Sequence, residues 1–122
     1  MKYITIKNNQ SVPVHEIPET GYDEFYELHA WLINGHPGRH CVSYFARESP
    51  EGLKLLSCIA DDKEHVIYVS SCLPGTDRLL KSFTGISPAF EKFEREIFEN
   101  HGLYFSDHPW LKPVRYPADR HD

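Results

Sequence analysis

"RHCVSYFARESPEGLKLLSCIADDKEHVIYVSSC", residues 39–72, holds three apolar runs in series, at about 39–47, 53–60 and 65–72. The connectors are ESPEG (48–52) and DDKE (61–64). A parallel return needs a crossover of about a dozen residues, so connectors this short specify antiparallel hairpins. The runs predict a three-strand meander. Both of its faces are apolar, with Leu53, Leu55 and Ile59 on one and Leu56, Cys58 and Ala60 on the other. One face packs on helices. The second needs a cover, from this chain or from a partner.

Outward from the meander, the pattern changes on both sides. Residues 1–8 alternate as a short strand, with Ile4 and Ile6 on one face. After a polar stretch with Pro13 and Pro18, Tyr22, Phe25, Tyr26, His29, Leu32 and Ile33 recur at helical spacing. Thr20, with Asp23 three residues on, is the candidate N-cap. Asn34-Gly35 supplies the stop and Pro37 forbids continuation, which predicts a helix over about 21–34. On the other side, DRLLKSF (77–83) reads equally as a short helix or a strand. Ser87-Pro88 then opens a second helix, since Ser caps and Pro suits the first position. Phe90, Phe93, Ile97 and Phe98, followed by His101, form its stripe, and Gly102 ends it. Glu91 and Arg95 are ordered for an i,i+4 pair. Glu99 sits at the negative end of the helix dipole and asks for a cationic partner. The expected fold is α+β: two layers, an antiparallel meander of three to five strands, and two main helices. The expected division is a domain over 1–105 and a Pro-rich arm or linker over 106–122.

Composition narrows the function classes. A chain of 122 residues is one domain, and 40% hydrophobic with 25% charged residues is ordinary for a globular one. The net charge of −5 and the lack of a basic patch argue against a nucleic-acid protein. The longest apolar runs are about four residues, far from the roughly 20 that span a bilayer. MKYITIKN is no secretion signal. The expected location is cytoplasmic, peripheral to the inner membrane only through a complex. Cys41, Cys58 and Cys72 are an odd, widely spaced set in strand-like runs, and read as small core residues rather than a disulfide or metal framework.

The C-terminal third is more specific. FEREIFENHGLYFSDHPWLKPVRYP (93–117) carries Glu94-Arg95-Glu96, then Glu99, then Gly102-Leu103-Tyr104-Phe105, then His108-Pro109-Trp110-Leu111-Lys112. In order and spacing it resembles the closing motif of the hydrophilic 30 kDa-type subunit of respiratory NADH dehydrogenase. Glu99 stands for the usual Asp, His101 for an aromatic, and Asp107 for the Gly before His-Pro. HPWLKPVRYP replaces the usual arginine pair. That version is similar to the N-terminal domain of the large subunit of membrane-bound energy-converting [NiFe]-hydrogenases, of the hydrogenase-4 and formate-hydrogenlyase type. By this resemblance the chain is a piece of such a large subunit or a free-standing subunit. The resemblance implies partners: a catalytic large subunit or module and a neighbouring iron–sulfur subunit. The parent complex carries iron–sulfur clusters and, in the hydrogenase case, nickel.

The residues themselves offer little redox equipment. There is no C-x-x-C pair, and GHPG (35–38) interrupts any dinucleotide turn with Pro. No cofactor is expected in this chain. His36 and His40 are separated by helix-breaking Pro37 and Gly38. His101, Asp107 and His108 are the metal-site alternative, that of a small metal-dependent enzyme. A third reading is a free-standing protein-binding module. Pro109, Pro113 and Pro117 favour an extended arm. It carries Trp110, Leu111, Val114 and Tyr116, each of the larger ones worth roughly 1.5–3 kcal/mol if covered. The expected function is therefore a non-catalytic docking and assembly domain. The docking residues are Glu94, Arg95, Glu96, Glu99, Gly102, Phe105, His108, Pro109, Trp110, Leu111, Lys112 and Arg115.

Overall fold

In the computed structural model, which describes residues 2–7 and 9–108, the chain runs β1 (Ile4–Lys7), β2 (Glu19–Thr20), α1 (Tyr22–Ile33), β3 (Arg39–Ser49), β4 (Gly52–Asp61), β5 (Val66–Cys72), β6 (Leu79–Lys81), α2 (Glu91–His101) and β7 (Tyr104–Ser106). The meander forms as its short connectors require. β3 pairs antiparallel with β4, and β4 with β5. β1 adds antiparallel to β5, giving the order β1-β5-β4-β3, while β2 adds a short parallel pairing to β5. The fold is α+β, with a mainly antiparallel five-stranded sheet and two helices.

Three local outcomes refine the sequence reading. Thr20 does not cap α1; it is held in the sheet opposite Cys72, and the N-cap is Gly21 without a side-chain bond. DRLLKSF becomes β6 followed by a 3₁₀ turn at Phe83–Gly85. What makes Leu79–Lys81 a strand is β7, which pairs with it in parallel from beyond α2. Ser87 accepts from the Ala89 N–H, and Pro88–Phe90 form a 3₁₀ turn that leads into α2.

Between helices and sheet lies the main core, centred on Phe83. Its ring touches those of Tyr22, Phe25, Tyr26, His29, Tyr44 and Phe90, at centroid distances from 4.5 to 5.7 Å. Leu53, Leu55 and Ile59 of β4 belong to this face. Leu56 and Cys58 face the other way, with Val69, Ile67, Ile4 and Ile6. Part of the cover for that second face comes from this chain: Val12, Val14 and Ile17, ahead of α1, pack on it. Val42 and Phe45 on β3 stay 45% and 44% exposed, so part of β3 remains open. All three cysteines are free; Cys41 and Cys72 are buried and Cys58 half-buried.

Two polar devices sit inside this frame. Arg39 of β3 donates to Asp61 Oδ2 at 3.0 Å and to the Leu32 carbonyl at 2.9 Å, tying the end of α1 to the sheet. Tyr68 also donates to Asp61, at 2.7 Å, and the Lys63 and Glu64 N–H groups donate to its other oxygen. These donors, Tyr68 first, hold the Asp61 carboxyl well below the usual carboxylate range. His29, fully buried on α1, donates from Nδ1 to the Phe25 carbonyl at 2.8 Å. A carbonyl only accepts, so Nδ1 carries the proton, and Nε2 accepts from the Ser57 hydroxyl at 2.6 Å. Burial pulls this imidazole down to about 4, so it is neutral at pH 7.

Candidate docking site at the root of the C-terminal arm

Glu94 occupies the middle of the arm's root. The expected stripe did not include it, but the structure sets it on the inward side of α2 between Phe90 and Ile97, with an exposure of 0%. A carboxylate there needs donors. The turn after β6 supplies them: Ser82 Oγ at 2.5 Å and Thr84 Oγ1 at 3.0 Å donate to Oε1, and the Phe83 N–H donates to Oε2 at 2.6 Å. Ser82 Oγ also accepts from the Thr84 N–H, so the 3₁₀ turn is capped and clamped by one hydroxyl. Burial raises the Glu94 pKa, and these donors together with His108 oppose the rise. Glu94 thus fastens α2 to the turn that carries Phe83 into the core.

The chain then returns along α2. Gly102, at φ 73°, takes the left-handed stop predicted for it, and its N–H bonds the Phe98 carbonyl at 2.9 Å. β7 lies against β6, with Phe105 only 3% exposed and Tyr104 stacked edge-on to Phe98. Asp107 sits at φ 62°, a left-handed position, which explains why the resembling motif usually has glycine there. This turn aims His108 at the N-terminal end of α2. Its Nε2 donates to the Glu91 carbonyl at 3.1 Å and lies 3.8 Å from Glu94 Oε1, with both side chains fully buried.

Of the expected docking residues, Glu94, Glu99 and Phe105 are buried, so their side chains present no surface of their own. Arg95 pairs with Glu91 at 3.2 Å, as its spacing predicted, and Glu96 is half-buried. Residues 109–122, which include Pro109, Trp110, Leu111, Lys112 and Arg115, lie outside the described residues. The metal alternative finds no geometry here: the described residues contain no group of three His, Cys, Asp or Glu placed to hold a metal, and the His108 ring is engaged on α2. Elsewhere, an open groove of about 750 Å³ runs between β1 and α1, lined by Tyr3, Leu28 and the 61% exposed Trp31.

Residues 21–121 match the family model described as respiratory-chain NADH dehydrogenase, 30 Kd subunit. The chain belongs to this family. The matched span covers both helices, the meander, the Glu94–His108 site and residues 109–121 beyond it, and begins just after β2. A chain of the 30 kDa family is a subunit-type component of a complex-I-like oxidoreductase, and works with other subunits. Among the described residues no helix is long and apolar enough to cross a membrane.

Proposed function

We propose that this 30 kDa-family chain is a non-catalytic docking and assembly domain that binds the catalytic large subunit or module of its complex. The observation that carries the reading is the Glu94 site. The most conspicuous polar residue of the family-like motif spends its hydrogen bonds on Ser82, Phe83 and Thr84, inside the fold. Its carboxylate is closed to a substrate. What it organises is the 82–84 turn, whose Ser82 N–H donates to the Ser106 carbonyl at the end of β7, and the family match runs on to residue 121. Large apolar groups on an arm want a surface. A neighbouring subunit provides one, and Trp110 is the side chain with the most area to bury.

HPWLKPVRYP favours the membrane-bound [NiFe]-hydrogenase setting over the respiratory dehydrogenase. In either, the chain carries no cofactor of its own, neighbours an iron–sulfur subunit, and meets the inner membrane only through the complex. Residues 106–122 act as the arm and the preceding residues as the domain.

Co-purification with the large-subunit catalytic module tests the reading. Trp110→Ala is expected to lower recovery at least tenfold while leaving the far-ultraviolet circular dichroism unchanged. Equal recovery of the two proteins removes the arm as a docking element.

A further inference from the structure

β1 is an outer strand of the sheet order β1-β5-β4-β3, and among the described residues no strand pairs with its free side. Its hydrogen bonds show which backbone groups face that side. In an antiparallel ladder, residues alternate between exchanging both bonds with the neighbouring strand and turning both outward. The Lys7 N–H donates to Gln10 Oε1 at 2.7 Å, and the Lys7 carbonyl accepts from the Gln10 N–H at 3.0 Å. Lys7 therefore turns outward. By the same alternation Thr5 and Tyr3 turn outward too, while Ile4 and Ile6 bond to Val69 and Ile67 of β5. Gln10 closes the Lys7 end of this edge; among the described residues nothing closes the backbone groups of Thr5 and Tyr3.

The groove between β1 and α1 follows this edge. Residues 2–5 line it, together with Glu27, Leu28 and Trp31 of α1. Successive strand residues face opposite sides, so four in a row line a groove only where it runs along the strand's edge. Trp31, 61% exposed, sits over it with its ring 6.2 Å from that of Tyr3. An extended guest strand added to β1 sets the residues opposite Tyr3 and Thr5 on the same face as those two, toward α1. These guest side chains are two positions apart. One meets the apolar wall of Leu28 and Trp31. The other meets Glu27, an exposed carboxylate with no hydrogen bond or ion pair among the described residues; Glu24, one turn earlier, is already paired with Lys2 at 3.7 Å.

We propose that the groove takes an extended segment of a partner protein by strand addition to β1, and that this segment carries a large apolar residue and a lysine or arginine two positions apart. A second copy of the chain fits less well. Pairing β1 with itself about a two-fold axis keeps both α1 helices on one face and brings their acidic flanks, Glu24 and Glu27, against each other. The proposal goes beyond the docking reading of the C-terminal arm and does not rest on it. β1 precedes the span matched to the family, residues 21–121.

Random peptides of about ten residues, displayed on phage, test this when panned against the whole chain, Glu27→Lys and Trp31→Ser. Both substitutions replace exposed side chains, so the fold is expected to survive them. The native chain is expected to enrich peptides with a large apolar residue two positions from a lysine or arginine. Glu27→Lys is expected to exchange that basic residue for an acidic one. Trp31→Ser is expected to weaken the best native-selected peptide about tenfold or more. That peptide is expected to slow amide hydrogen exchange at Thr5 about tenfold or more while leaving Ile4 unchanged. No enrichment, a selected sequence indifferent to Glu27→Lys, or binding without protection of Thr5 overturns the proposal. A dimer in sedimentation that Trp31→Ser dissolves gives the edge to a second copy, and overturns it as well.

Discussion

Acidification to pH 5 is expected to destabilise this domain chiefly through His29. The imidazole is neutral in the folded chain because Phe25, Tyr44, Phe83 and Phe90 surround it and leave no room for hydration. Its pKa falls from the ordinary 6.5 to about 4. The unfolded chain therefore binds a proton that the folded chain refuses. The stability His29 contributes is present above pH 6.5 and is lost as the pH falls toward 4. At 1.36 kcal/mol per pH unit the whole loss is about 3 kcal/mol, of which about 2 has gone by pH 5. Glu94 works in the opposite sense. Its raised pKa means that ionisation at neutral pH weighs on the fold, and protonation on acidification relieves it. Asp61, whose pKa is depressed, loses its contribution only below the ordinary 3.8, outside this window. The assay is urea unfolding at pH 7, 6 and 5 for the native chain and for His29→Gln, which keeps an acceptor for the Ser57 hydroxyl. The native chain is expected to lose about 2 kcal/mol between pH 7 and 5 before the Glu94 offset, and His29→Gln less than half as much. Equal pH slopes for the two proteins refute the assignment.

Phe83→Ala, at the centre of the aromatic cluster, is expected to cost about 3–5 kcal/mol, read as a fall in the urea midpoint at pH 7. Glu94→Ala removes the acceptor for three buried donors and is expected to cost about 2–4 kcal/mol, while Glu94→Gln, which keeps an acceptor oxygen, costs less; the thermal midpoints of the two give the order. Asp107→Gly relieves a left-handed backbone position and is expected to raise stability by about 0.5–1 kcal/mol, visible as a small rise in melting temperature.

The meander was legible because connector length constrains chain direction: ESPEG and DDKE leave no room for anything but hairpins, and β3, β4 and β5 lie where the apolar runs do. The stop of α2 at Gly102 was legible for a similar reason; its start was legible only to within a turn, since Ser87-Pro88 open the 3₁₀ turn ahead of it, and Thr20 was not the cap of α1. β6 was not, because nothing in DRLLKSF chooses between helix and strand; the choice is made by β7, more than twenty residues later. The setting of Glu94 was hidden in the same way. The expected stripe left Glu94 out and kept it as a docking residue; the structure buries it, with donors from residues 82–84, whose turn no local pattern announces. Phe83 looked like the end of an ambiguous segment and proves to be the hub of the core.

The parallel pairing of β6 with β7 has a consequence for the order of events during synthesis. A ribosome releases the chain from its first residue onward, so the sheet and α1 emerge while β6 still lacks its only described ladder partner. The β6–β7 ladder closes only after Tyr104–Ser106 have left the exit tunnel, and His108 follows directly. The nascent polypeptide thus folds its five-stranded sheet with β6 held open, and the Phe83 turn that follows β6 is locked only when α2 and β7 arrive together from the last part of the described residues.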